Sequence, residues 1–467
     1  MKKLLALFSG LLFVFGLAAT AFAIHAEIPA ETQATVAKGT TQITIGGSVR
    51  VRGTATDNTS DFNDNHSDHK SFLETSVHLV LDAQVDSGTK AVVELRESKG
   101  DLSGGRPGDD DLTWGNHAGF ADAGGLYTKG GEPMGDSSQT LTFIQAWIQH
   151  SGTGLLGIPA GIKVGHMPLA LGNGLFFSHT KNGDDGLVLF ADPMVNLHTA
   201  LVGIRFNQGT YDAATKSVVN PNEKSTAYAG ILAYAGTGYN ASLDITYVDD
   251  QNFMNVIDNS PLTRVHLWNI GLRGDTTVSG VNIYADGEIQ TGKVVAPAGG
   301  TDADFEGWAA MVGAKTTMAN LNLGLEWAYG SGDSGSDPDK IKTFITALDN
   351  VQHYTFVYEY LAPSATGTTL SGLANTQYVK AEVGTQITPA ASFKVDGYWL
   401  HANEVPTGSG ASHDIGWEVD GLGKYQITKN LTYFVEGGYL VAGDFYKDMI
   451  GHKDNAWGVR HGLLLSF

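Results

Sequence analysis

The sequence predicts an antiparallel transmembrane β-barrel of about eighteen strands, with short periplasmic turns at one end and long external loops at the other. Three observations support this prediction. Apolar and polar residues alternate with a period of two over many segments of about ten residues, the length that a tilted strand needs to cross a bilayer. Short and long connections alternate between these segments, and the N-terminus resembles a secretory signal.

The N-terminal stretch MKKLLALFSGLLFVFGLAATAFA begins with two lysines, continues with an apolar run and ends on an A-x-A-like site. This pattern predicts a signal peptide at 1–23, cleaved after Ala23. A periplasmic segment at 24–40 and a barrel at 41–467 then follow. After residue 23 there is no run of about 18 apolar residues, so no membrane helix is predicted.

Alternation is clearest in NLNLGLEWAYG, where Leu323 and Leu325 fall on one face and Asn322 and Glu326 on the other. The stretches YNASLDITYV, VNIYADGEIQ and QITIGGSVRVRG have the same pattern. The predicted strands are 43–53, 72–86, 89–97, 139–150, 160–169, 185–192, 196–207, 225–236, 239–249, 263–274, 280–291, 304–317, 320–330, 374–387, 391–401, 413–427, 430–441 and 455–467. A soluble barrel packs its apolar face inward, but eighteen strands leave a lumen too wide for that, so the apolar face is predicted to meet lipid.

Composition excludes several functions. Lys and Arg total 29 against 49 Asp and Glu, a net charge of −20, which argues against nucleic acid as a partner. There is no cysteine, hence no disulfide, thiolate metal site or C-x-x-C-H haem site. No G-x-S-x-G, P-loop or H-E-x-x-H motif occurs, so neither an enzyme nor a cofactor is predicted.

Charged residues on the predicted inward face are the candidate pore-lining residues: Arg50, Arg52, Lys90, Glu94, Arg96, Lys163, Arg205, Asp286, Glu326, Lys394, Glu418, Asp420 and Arg460. The cations cluster in the first and last thirds of the chain, and carboxylates dominate the middle. One interpretation is a transverse field that orients polar solutes. The other, which we favour, is that these charges solvate the wall and pair across strands.

Possible metal ligands are few. Three consecutive aspartates at 109–111 and GDD at 183–185 are compatible with calcium, and His66 and His69 lie among carboxylates. Solvated acidic loops explain the same residues, and zinc needs three or four convergent ligands, so no metal is predicted.

Two long connections, 98–138 and 331–373, need an explanation. Large barrels are commonly constricted by an inward loop, so one of these segments is expected to fold into the lumen. The stretch VQHYTFVYEYL in the second segment is apolar enough to pack against the inner wall.

A resemblance to a known family rests first on GIKVGHMPLALGNGLFFSHTKNGDDGLVLF at 161–190. It is similar to a strand, loop and strand of the alginate-export family of outer-membrane barrels. His166 stands where that family usually has arginine, and a second arginine is missing near Leu175. The matching pairs are Val164-Gly165, Leu171-Gly172 and Asp185-Gly186.

Two further stretches, 391–403 and 415–445, resemble strands of the same family near its C-terminus. The resemblance implies an eighteen-stranded monomeric barrel that passes a solute. The final Phe467 resembles the signature by which the barrel-assembly machinery recognises outer-membrane barrels.

The predicted function is a porin of the bacterial outer membrane, surrounded by lipid and lipopolysaccharide, that passes small hydrophilic solutes. Two alternatives stay open: a sheath for a periplasmic multihaem cytochrome, and an exporter of an acidic polysaccharide. The inward face mixes both charges, whereas a polyanion exporter needs a pore rich in arginine. A third class, an adhesin or receptor displaying its loops, is also open.

Overall fold

The structure is a computed structural model that describes residues 34–38, 41–99, 112–113, 139–212, 217–251, 264–296, 300–348, 354–369 and 371–467. The predicted signal peptide, the aspartates at 109–111 and most of the connection at 98–138 lie outside these residues. The predicted division into signal peptide, periplasmic segment and barrel stays a prediction.

Eighteen antiparallel strands within the described residues form the wall of a closed barrel. Numbered along the chain, they are β2 (Thr41–Asp57), β3 (Lys70–Gln84), β4 (Thr89–Lys99), β6 (Gln139–Thr153), β7 (Pro159–Ala170), β8 (Phe177–Met194), β9 (Leu197–Asp212), β10 (Ser217–Ala235), β11 (Tyr239–Asp250), β12 (Arg264–Val278), β13 (Val281–Val295), β15 (Trp308–Met318), β16 (Leu321–Gly330), β19 (Thr376–Thr388), β20 (Ala391–Ala402), β21 (Asp414–Thr428), β22 (Leu431–Ala442) and β23 (Ala456–Ser466). Each pairs with the next wall strand, and β23 pairs with β2. The predicted fold class is confirmed, and each predicted strand overlaps one of these.

The described residues also form five short strands and one helix. They are β1 (Ala34–Lys38), β5 (Leu112–Thr113), β14 (Ala303–Phe305), β17 (Lys340–Ile341), β18 (Ala347–Leu348) and α1 (Asp444–Ile450), with a 3₁₀ turn at Leu155–Gly157. In the described part of the chain, no helix has the length and hydrophobicity of a membrane-spanning helix.

The two ends of the barrel differ in their connections. Only Ser279 and Gly280 separate β12 from β13, and their φ angles of 52° and 82° are those of a tight hairpin turn. We call this the short-turn end. At the opposite, long-loop end, residues 331–375 separate β16 from β19.

The apolar residues of the wall face outward, as the alternation predicts. Leu325 is 60% exposed and Ile245 is 40% exposed, whereas Asp244, next to Ile245 in the sequence, is 5% exposed. Within the described residues, every wall strand has a hydrogen-bonded neighbour strand on each side, so the sheet closes without an edge strand.

The placement of Arg205 on the inward face is corrected by the structure. On β9 the buried residues are Val202 and Ile204, at 7% and 5% exposure, and Leu201 is 65% exposed. Arg205 has the parity of Leu201 and therefore points outward, beside its register partner Asp185 on β8. Because both faces of β9 carry apolar residues, alternation alone did not decide which face was inward.

Candidate functional site: a lumen narrowed by two inward segments

Two connections at the long-loop end fold into the barrel and pack together. The first inward segment, residues 171–176, joins β7 to β8, and the second inward segment consists of the described residues 331–348, 354–369 and 371–375 between β16 and β19. The backbone N–H of Ala347 donates to the carbonyl of Phe176 at 2.6 Å, where β18 pairs with the start of β8. Buried residues of both segments belong to one hydrophobic core, so the core of this barrel lies inside its lumen.

Residues 354–362 of the second inward segment are held by two carboxylates of β21. Glu418 accepts hydrogen bonds from the backbone N–H groups of Phe356, Val357 and Tyr358 at 3.0, 2.6 and 2.8 Å. Asp420 accepts from the N–H of Phe356 at 3.0 Å. Both carboxylates were predicted to line the pore, but the structure places them beneath this segment.

Aromatic side chains of the same segment pack on the inner wall, as predicted for this stretch. The rings of Tyr354 and Tyr378 stack with centroids 4.7 Å apart, and the Tyr398 hydroxyl donates to the Tyr354 carbonyl. The Tyr358 hydroxyl lies 2.6 Å from the Thr376 hydroxyl. Burial raises the pKa of the Tyr358 phenol above its usual value.

Arg460 on β23 joins the wall to the segment. Its Nε lies 2.9 Å from a Glu436 carboxylate oxygen in an ion pair, and another guanidinium nitrogen donates to the Tyr360 hydroxyl at 3.0 Å. The guanidinium carbon is 4.6 Å from the centre of the Phe356 ring. Arg460 therefore contacts the segment through both a hydrogen bond and a cation–π interaction.

The first inward segment is fixed to β12 and β13. Asp286 accepts a hydrogen bond from the Asn173 N–H at 3.0 Å, and Arg273 donates to the Gly172 carbonyl at 3.3 Å. Gly172 has a φ of 55°, and a Cβ there would lie 3.2 Å from an Asp286 oxygen. Glycine is thus required both by the backbone conformation and by the close approach.

Near the short-turn end, the lumen wall carries a cluster of two lysines and an indole. The Lys163 ammonium lies 3.9 Å from the centre of the Trp147 ring, and that of Lys90 lies 5.9 Å from it. Lys90 also pairs with Asp82 at 2.7 Å. All four side chains are half-buried.

Sequence reasoning missed Trp147 because an irregularity disturbs the alternation of β6. The register with β4 shifts between Glu94 and Leu95, so Phe143 and Ile148 both point outward although their parity differs. The apolar residues on both faces of the predicted strand 139–150 are the trace of this shift.

Most of the other predicted lining residues are inward and paired. Arg52 binds Glu74 at 2.6 Å, and Lys394 binds Asp396 at 2.8 Å. Arg50 is half-buried on the inward face of β2. These pairs agree with the interpretation in which the charges pair across strands.

Glu94 and Glu326 accept hydrogen bonds from neutral neighbours. Glu94 accepts from Gln145 at 2.5 Å, and Glu326 accepts from the Tyr378 hydroxyl at 2.7 Å. Arg96 is 6% exposed on the inward face of β4. Whether a solute passes these side chains stays a prediction.

The histidines and aspartates considered for metals form separate pairs. His66 lies 2.8 Å from Asp61, His69 lies 3.8 Å from Asp57, and His166 lies 2.9 Å from Asp185. Within the described residues, no group of three or more His, Cys, Asp or Glu side chains is arranged to hold a metal ion.

Comparisons with known proteins identify the fold. No family model and no curated protein matches the sequence, so the resemblance to the alginate-export family stays a prediction. Among solved structures, OccK2 (OpdF) of Pseudomonas aeruginosa is similar, with a TM-score of 0.54, 10% identity and coverage of 91% of this chain and 98% of that chain.

Two further structures have the same architecture. OccAB4 of Acinetobacter baumannii has a TM-score of 0.52 at 10% identity, covering 94% of this chain and 100% of that chain. A BenF-like porin of Pseudomonas fluorescens Pf-5 has a TM-score of 0.52 at 11% identity, covering 91% and 99%. At such low identity, these likenesses establish the barrel fold alone.

Proposed function

We propose that this protein is an outer-membrane porin that passes small hydrophilic solutes through a charged, water-filled lumen. The observation that carries the proposal is the distribution of side chains over a closed eighteen-stranded wall, with apolar residues outward and charged residues inward. A wall of this kind satisfies its backbone in lipid and encloses a polar passage. The porins named above have the same fold and support the same function.

The inward segments favour a porin over the sheath of an electron conduit. A sheath needs a lumen that admits a folded cytochrome, whereas here the chain's own aromatic residues occupy the long-loop half of the lumen. The paired and mixed charges of the wall likewise give no reason to prefer a polyanion exporter.

Small sugar acids are the solutes to test first. OccK2 was solved in complex with glucuronate. In this chain, Lys90 and Lys163 are half-buried lumen cations that would attract a carboxylate, and the Trp147 indole beside them offers an apolar surface.

Reconstitution tests this function. In planar bilayers the purified protein is expected to form channels of constant conductance, and in liposomes it is expected to admit glucuronate faster than neutral glucose. Liposomes prepared without protein are the control for leakage. A purified protein that inserts but carries no current would contradict the proposal.

A further inference from the structure

Three consecutive backbone N–H groups of the second inward segment converge on two neighbouring carboxylates of the wall. We propose that Glu418 and Asp420 are positioning residues, which keep residues 354–362 docked in the lumen while solute passes. This inference rests on the proposed function, because a docked segment narrows transport only in a conducting barrel.

The hydrogen bonds to Glu418 and Asp420 oppose any swinging movement of the segment. A buried donor or acceptor that loses its hydrogen-bond partner destabilises the protein by the full cost of its desolvation. Since Phe356, Val357 and Tyr358 are all engaged, the segment cannot leave the wall without exposing three donors and two buried carboxylates at once.

The wall is shaped to receive the segment. Gly438 on β22 and Gly458 on β23 are register partners, and both face inward beneath it. A Cβ at Gly438 would lie 3.0 Å from the Val357 side chain, and one at Gly458 would lie 2.4 Å from the Leu361 side chain. Any larger residue at Gly458 would overlap Leu361, so this part of the wall fits the segment closely.

The burial of residues 356–358 also indicates that the segment stays docked. Phe356, Val357 and Tyr358 are each 0% exposed, and Arg460 covers the Phe356 ring from the wall. Elements that move during function are drawn from regions with few buried contacts and exposed backbone hydrogen bonds. This stretch has the opposite character, so it acts as a fixed constriction and not as a gate.

Disulfide locking tests the proposal, and the cysteine-free sequence makes introduced pairs specific. A Cβ at Gly458 would meet the end of the Leu361 side chain, so Leu361→Cys with Gly458→Cys places a thiol on each side of this contact. We expect mild oxidation to cross-link this pair efficiently and to leave conductance and glucuronate entry unchanged. The control is Leu361→Cys with Val459→Cys, because Val459 has the outward parity of β23 and cannot reach the segment.

The opposite result would overturn the proposal. If oxidation of the Leu361→Cys, Gly458→Cys protein stops solute entry and a reductant restores it, the segment must leave the wall during transport. If the pair does not cross-link in a barrel that circular dichroism shows to be folded, the segment is not docked in solution.

A second arm tests the two carboxylates themselves. Glu418→Gln with Asp420→Asn, added to the cysteine pair, is expected to slow cross-linking roughly tenfold, equivalent to about 1.4 kcal/mol. It should also make the single-channel current noisy, and Glu418→Asp should restore part of both losses. The control, Glu74→Gln, removes another buried wall carboxylate, one that pairs with Arg52 on β2 and does not belong to β21.

Unchanged cross-linking and a quiet current in the double variant would overturn the positioning role. Cross-linking is measured on gels and needs no conduction. A parent protein that cross-links but carries no current would therefore contradict the porin function and leave the docking result standing.

Discussion

The two halves of the lumen are built in opposite ways. In the long-loop half, the inward side chains Tyr378 and Leu400 are 2% and 0% exposed beneath the second inward segment. In the short-turn half, Lys90, Trp147 and Lys163 are half-buried on the inward face. One half is a packed core and the other is lined with charge.

This difference teaches how to interpret the inward face of a barrel strand. Charged residues on the inward face are stable where they contact water. Where a loop folds inward, apolar residues on that face can pack against it. Val202 and Ile204 face inward on β9 and belong to the core that the inward segments share. Apolar residues on the inward face therefore mark the part of the wall that a loop covers.

The largest expected effect comes from removing the segment that fills the long-loop half of the lumen. Replacing residues 354–369 by a short Gly-Ser linker should raise single-channel conductance several-fold, because the lumen of an eighteen-stranded barrel is wide when unfilled. Shortening the exposed residues 406–410 between β20 and β21 is the matched control. Equal conductance in the two deletions would mean that the segment does not narrow the passage.

Truncating one aromatic residue in each half of the lumen should reduce the stability of the barrel by different amounts. Phe356→Ala in the packed half is expected to cost about 3–5 kcal/mol, because it leaves a cavity in a fully buried site. Trp147→Ala in the charged half should cost less, since its ring is only half-buried. Hydrogen exchange of the neighbouring amides measures the free energy of opening, and equal costs would remove the distinction.

Reversing the charge of a lumen lysine in the short-turn half should change the ion selectivity of the channel. Lys163→Glu is expected to shift the reversal potential under a salt gradient toward cations, because the half-buried side chain faces the lumen. Lys429→Glu, in the exposed turn between β21 and β22, carries the same change of charge as a control. A shift of equal size in both variants would show that Lys163 has no special position.

The smallest expected effect concerns an exposed ion pair at the start of α1. The hydrogen bond from Lys453, at 2.6 Å, lowers the pKa of Asp444 below its usual value. A carboxyl group with a lowered folded pKa adds stability above its unfolded pKa, and that stability is lost as the pH falls through the folded value. Asp444→Asn should slightly weaken the acid dependence of the melting temperature, and a stronger dependence would contradict the assignment.

The role of Glu418 and Asp420 shows the limit of prediction from the sequence. Alternation placed both on the inward face, and the structure agrees. Their partners Phe356–Tyr358 lie about sixty residues away along the chain, within a loop that has no period of its own. Nothing local to β21 indicates that its carboxylates bind a backbone and not water.

By itself, the sequence determined the closed wall: eighteen strands, their order, and the apolar face that points outward. A strand has a side-chain period of two, so the alternation within each segment shows which of its faces is apolar and which is polar. Only the tertiary structure decided what fills the cylinder. The outward Arg205, the inward Trp147 and the docked residues 354–362 depend on a register shift or on contacts between distant parts of the chain, and no local pattern encodes these.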